Sequence, residues 1–193
     1  MLKEKDSLYK IIGKIAGEEY YHVAMTTDQN LENMITFRDT VRREKISKIN
    51  PRKECKLIEL EVTDEELNKL NDSIEYYLQH RKDYKFNLLG TVIMSFVAIP
   101  LFDRGLHFVA YPMIKLMGRR NRFICATFIM NLFYENDIRL LDHLNDPKFG
   151  PSYSHWLMSP YAYDRIGLKE VYTGTIEGLK KAYPAIIKEW KGA

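Results

Sequence analysis

The stretch that most restricts the fold is the run from Phe123 to Glu135, in which Ile124, Ala126, Phe128, Ile129, Met130, Leu132 and Phe133 leave almost no polar face. A helix lying on a protein surface shows an apolar stripe on one side only. A helix that is apolar nearly all round must be enclosed, so this segment predicts a central helix with other elements packed about it, ended by Asn136. Enough material exists to enclose it. The 193 residues are 46% hydrophobic and 12% aromatic, which suits one domain spanning 1–193 with a substantial core.

The flanking elements follow from periodicity. Asp6 and Ser7 cap a short helix carrying Leu8, Ile11, Ile12 and Ile15, with Gly17 as its terminator. Residues Tyr20 to Thr26 alternate as a strand, with Tyr20, His22 and Ala24 on one face and Tyr21, Val23 and Met25 on the other. Turn formers Thr27 to Asn30 and a second strand, Met34 to Phe37, make a hairpin. Centred near Gln29, it sets Thr36 opposite His22. A basic loop from Arg42 to Lys53 is expected next, then a half-buried strand from Lys56 to Val62 with Ile58, Leu60 and Val62 inward and Glu59 and Glu61 outward. Thr63 with Glu66 three residues on is a capping box. It opens a helix whose stripe is Leu67, Leu70, Ile74, Tyr77 and Leu78. Beyond the central helix come a Tyr-rich loop at Pro147 to Ser154, a turn at Ser159-Pro160, a strand near Glu170 to Tyr172 and a terminal amphipathic helix.

Charge and cysteine content exclude some functions. Lys and Arg total 29 against 26 acidic residues, and a net charge of +3 without a clustered face does not predict a nucleic-acid partner. The 2 cysteines, Cys55 and Cys125, fit a reducing compartment better than a disulfide scaffold. His80, His107, His143 and His155 lack metal-ligand spacing, so no metal and no cofactor are expected. The charged opening MLKEKDSLYKIIGKIAGEEYY has no signal core, which predicts a cytoplasmic protein. The apolar run from Leu88 to Phe102 is shorter than the roughly 20 residues of a membrane-crossing helix.

Cys125 is the residue best placed for chemistry. It falls in the first turn of the central helix, where backbone N–H groups and the positive end of the dipole favour a thiolate. Arg119, Arg120 and Arg122 precede it and would add to the effect only if turned inward. His22 is the candidate base. Each has a plainer reading: free cysteines are often buried and inert, and a strand histidine is often a hydrogen-bonded core residue. Cys55, at the start of a strand, reads as structural.

Four segments in order, EYYHVAMTTDQNLENMITFRD, CKLIELEVTDEEL with YKFNLLG, RFICATFIMNLFYENDI and MSPYAYDRI, resemble the circularly permuted NlpC-like proteins. These are papain-fold cysteine hydrolases that include the YiiX-like group and, more remotely, lecithin retinol acyltransferase. The resemblance covers most of residues 8 to 166. It implies an α+β fold in which an antiparallel sheet packs against the cysteine-bearing helix, with extra helices and an apolar insertion around 88–117. It also implies that Cys125 is the nucleophile, His22 the base and Thr36 the residue that orients the imidazole, with Glu32 and Asp39 as alternatives. A surface threonine is the plainer reading of Thr36. Tyr20 is the candidate second oxyanion donor, beside the Cys125 N–H.

The function so implied is a thiol hydrolase or acyltransferase acting on an amide, thioester or ester through an acyl-enzyme. Its substrate would be a small-molecule, peptide or lipid-like acyl compound. Two readings stand beside it: a peptidoglycan endopeptidase or amidase, and a non-catalytic lipid- or protein-binding module. The 88–117 insertion is expected either to line an acyl pocket or to touch a membrane surface, and its plainer role is extra core. Nothing in the sequence sets the oligomeric state.

Overall fold

The computed structural model describes residues 22–88, 121–138, 140 and 168–192. Over these residues the chain is α+β, built from three helices and three small sheets. In chain order the elements are β1 (Ala24–Met25), β2 (Asn33–Phe37), β3 (Val41–Lys45), β4 (Glu54–Glu59), α1 (Asp64–Gln79), β5 (Lys85–Phe86), β6 (Arg122–Phe123), α2 (Cys125–Glu135), β7 (Lys169–Thr175) and α3 (Ile176–Gly192). The first sheet is antiparallel in the order β1-β2-β3. Strands β4 and β7 pair antiparallel, and β5 and β6 pair in parallel. The single antiparallel sheet expected from the resemblance is thus divided into small sheets among the described residues.

Local chemistry explains where α1 begins and where α2 ends. Thr63 Oγ1 accepts the Glu66 N–H at 3.2 Å and Glu66 Oε2 accepts the Thr63 N–H at 2.8 Å, so the capping box starts α1 where periodicity placed it. Leu70, Ile74 and Tyr77 are its buried stripe. Helix α2 ends in a Schellman motif: the Ile138 N–H reaches the Phe133 carbonyl at 2.9 Å and the Asp137 N–H reaches the Tyr134 carbonyl at 3.2 Å. Asp137 takes the left-handed position, at φ 61°, that such a terminus requires.

Three expectations need correction. The stretch read as a basic loop contains β3 and a 3-10 turn at Ile46–Lys48, because Val41 and Ile46 are buried anchors within the charged run. Phe123 belongs to β6 instead of the central helix, its backbone taken up by pairing with β5. Strand β4 stops at Glu59, and an irregularity between Leu57 and Ile58 breaks its alternation against β7. Glu59 consequently lies mostly covered and meets Lys169 Nζ at 3.1 Å, where exposure was expected.

Two apolar clusters result. The first gathers Val23, Ile35 and Phe37 with Leu70, Ile74 and Tyr77 of α1 and Phe128, Ile129, Leu132 and Phe133 of α2. Ala126 through Phe133 are all buried, which is the enclosure that the apolar surface of this helix demanded. The second cluster joins Leu31, Met34, Ile46 and Cys55 with Ile176, Leu179 and Ile186 of α3. Among the described residues no helix is long and apolar enough to cross a membrane.

Candidate active site

Cys125 is the first residue of α2 and is half-buried. Ile124 before it is extended, at φ −101° and ψ 166°, and offers no side-chain acceptor to the first turn. Thr127 closes the turn instead: its Oγ1 accepts the Ile124 N–H at 3.0 Å. No acidic residue lies in that turn, so no carboxylate of the helix offsets the positive end of its dipole at the sulfur.

His22 precedes β1 as an isolated bridge residue, half-buried, and its Nε2 lies 2.6 Å from Thr36 Oγ1. Thr36 is fully buried, at 0% exposure, so the reading of it as a surface threonine is set aside. The register differs from the sequence expectation by two positions. Thr36 pairs with Ala24, and the hydroxyl reaches His22 diagonally along the same sheet face. A shift of two keeps every side chain on its expected face, whereas a shift of one would have separated the pair.

Aromatic packing fixes how α2 meets this sheet. Phe37, next to Thr36, has its ring centroid 5.8 Å from that of Phe123 and 5.3 Å from that of Phe128. These partners bracket Cys125 in sequence, so the start of α2 packs on the face of β2 that carries Phe37, while Thr36, the next residue along the strand, points to the other face with Ala24. A polar tie between the helices sets the rotation of α2. Tyr77 Oη donates to Glu135 Oε2 at 2.8 Å and accepts from Asn131 Nδ2 at 2.9 Å. Asn136 Nδ2 donates to Ser73 Oγ at 3.0 Å and to the Leu132 carbonyl at 2.7 Å. Burial, and then the Glu135 carboxylate, push the Tyr77 hydroxyl far above its ordinary range, so it stays a neutral donor. Sequence reasoning assigned Tyr77 to the core stripe and missed this tie, whose only local signal was a tyrosine among aliphatic positions.

The remaining candidates separate from the pair. Glu32 is exposed at the loop end. Asp39 is exposed and bound to Arg42 at 2.6 Å, which holds its carboxyl below the usual carboxylate range. Arg122 is exposed. His80 is exposed and stacks on Tyr76 at 4.3 Å between ring centroids. Cys55 is 4% exposed, and burial pushes its thiol up. Tyr20, Arg119, Arg120, His107, His143, His155, the first predicted helix, the turn at Ser159-Pro160 and nearly all of the 88–117 insertion lie outside the described residues. Among the described residues no group of three or more His, Cys, Asp or Glu is gathered to hold a metal ion.

Comparison with protein-family models, with curated proteins and with solved structures finds no match to this chain.

Proposed function

We propose that the chain is a thiol hydrolase or acyltransferase of the permuted papain-like type, with Cys125 as nucleophile, His22 as general base and acid, and Thr36 as the residue that orients the imidazole. The observation that carries this reading is the 2.6 Å contact between His22 Nε2 and a fully buried Thr36 hydroxyl, with Cys125 standing as the first residue of α2.

The reading sets the tautomer. With Nε2–H donating to Thr36 Oγ1, the lone pair of Nδ1 is the one that takes the thiol proton. The thiolate then attacks the carbonyl carbon of an amide, ester or thioester. The tetrahedral adduct expels the nitrogen, oxygen or sulfur leaving group, which receives the proton from His22, and the acyl group remains on Cys125 as a thioester. Water gives its proton to His22 and attacks the thioester, releasing a carboxylic acid and restoring the thiol. An alcohol or amine in place of water gives transfer. The Cys125 N–H, at a helix amino end, is one donor to the oxyanion.

Thiol labelling tests the assignment. At pH 6 the Cys125 thiolate should react with iodoacetamide at least tenfold faster than Cys55, and Cys125→Ala should abolish both the fast phase and turnover of an acyl probe. Equal sluggishness of the two thiols in the native protein would remove the enzymatic reading. A binding module on the same fold would then be left.

A further inference from the structure

A cavity of about 220 Å³ has Ala24, Leu57, Ile58 and Leu67 in its lining together with Ile129 and Phe133 of α2, while His22, Thr36 and Cys125 are not part of that lining. Among the described residues its polar lining is Thr26, Thr27 and Lys56. Two of its walls lead back to the proposed chemistry. Ile129 and Phe133 follow Cys125 at intervals of four, along one side of α2, and Ala24 follows His22 by two, on the same strand face. The helix that begins with Cys125 and the segment that follows His22 therefore both contribute to the lining of a single apolar space.

We infer that this cavity holds the acyl chain of the substrate, and that the enzyme selects a saturated acyl group of medium length. An apolar cavity of about 150 Å³ accepts benzene, so by proportion this one takes on the order of nine carbon atoms. An octanoyl or decanoyl group fits that space, and the aliphatic lining offers a peptide or sugar substrate few hydrogen-bonding partners. The name of the occupant rests on the thiol-enzyme reading above, while the preference of the cavity for an apolar chain does not.

The test is binding of octanoate to the full chain, followed by titration calorimetry, with hexanoate and butanoate as shorter probes. Octanoate should bind, and each methylene removed should weaken binding about fourfold. Filling the space from either of two walls, with Ala24→Phe or Leu67→Trp, should weaken octanoate binding at least tenfold, with circular dichroism confirming that each variant is folded. Cys125→Ala should bind octanoate within twofold of the parent. No octanoate binding, or no dependence on chain length, overturns the assignment, as does unchanged binding in whichever filled variant folds. Octanoate binding without any turnover of octanoyl esters or thioesters would leave the cavity assignment standing and remove the enzymatic reading, so the two failures are distinct.

Discussion

The Thr36 hydroxyl has no room to be replaced by water, because its side chain is fully buried and its Oγ1 lies 2.6 Å from His22 Nε2. Valine has nearly the same shape and no hydroxyl, so Thr36→Val leaves the packing in place and frees the imidazole to rotate. On the proposed mechanism kcat on an acyl thioester falls roughly tenfold, about 1.4 kcal/mol of barrier, with KM nearly unchanged. Thr36→Ser restores it to within a few-fold, and a loss that serine does not rescue would mean that the residue serves packing alone. The His22–Thr36 contact was legible in the sequence because the face of a strand side chain depends only on whether its position is odd or even. That parity put His22 and Thr36 together despite the wrong register. What parity cannot give is depth. Nothing in the residues around Thr36 marks it as buried, since its cover comes from elements distant in sequence.

Register is a property of the hairpin, and Asp28 sets it. Its Oδ1 accepts the Asn30 N–H at 2.9 Å, and its Oδ2 accepts the Glu32 and Asn33 N–H groups, each at 3.1 Å. Its carbonyl takes the Leu31 N–H at 2.9 Å, with Leu31 buried in the left-handed region at φ 54°. The turn is thus organised by one carboxylate rather than around the midpoint of its turn formers, which is why Ala24, and not His22, came to face Thr36. Burial alone would raise the Asp28 pKa, but the N–H groups of Asn30, Asn33 and Glu32 together bring it below its ordinary value. A lowered folded-state pKa contributes stability above the unfolded value, near 4, and that contribution is lost as pH falls through the folded one. Asp28→Asn should therefore cost about 1–2 kcal/mol at pH 7, with the gap to the parent narrowing as pH falls below about 4. Urea midpoints at pH 7 and pH 3 measure it. An equal gap at both would show that shape, and not charge, organises the turn. Helices α1 and α2 were easier to read than this hairpin because the capping box of α1 and the apolar periodicity of both are written within a few turns of the chain.

The two apolar clusters meet at β2, which sends Ile35 and Phe37 into the first and Met34 into the second. No local pattern announces this division. It depends on β4 pairing with β7, partners from distant parts of the chain, and on the irregularity at Leu57 and Ile58 that turns the strand between clusters. Leu57 packs against the second cluster, and Leu60, just beyond β4, against the first. A strand shared by two cores couples them, because opening either one uncovers an apolar face of the same backbone. Cys55 reports on the second cluster. It is 4% exposed and its pKa is raised by burial, so a disulfide reagent reaches a reactive thiolate there only after the cluster opens. In a Cys125→Ala background, Cys55 labelling should rise with urea along the same curve as the loss of helical circular dichroism. Labelling that ran ahead of that curve would mean that α3 and the β4–β7 pair come away by themselves, leaving the first cluster around α2 intact. Octanoate binding would then be lost along the labelling curve and ahead of the helical signal, since Leu57 and Ile58 form part of the cavity wall.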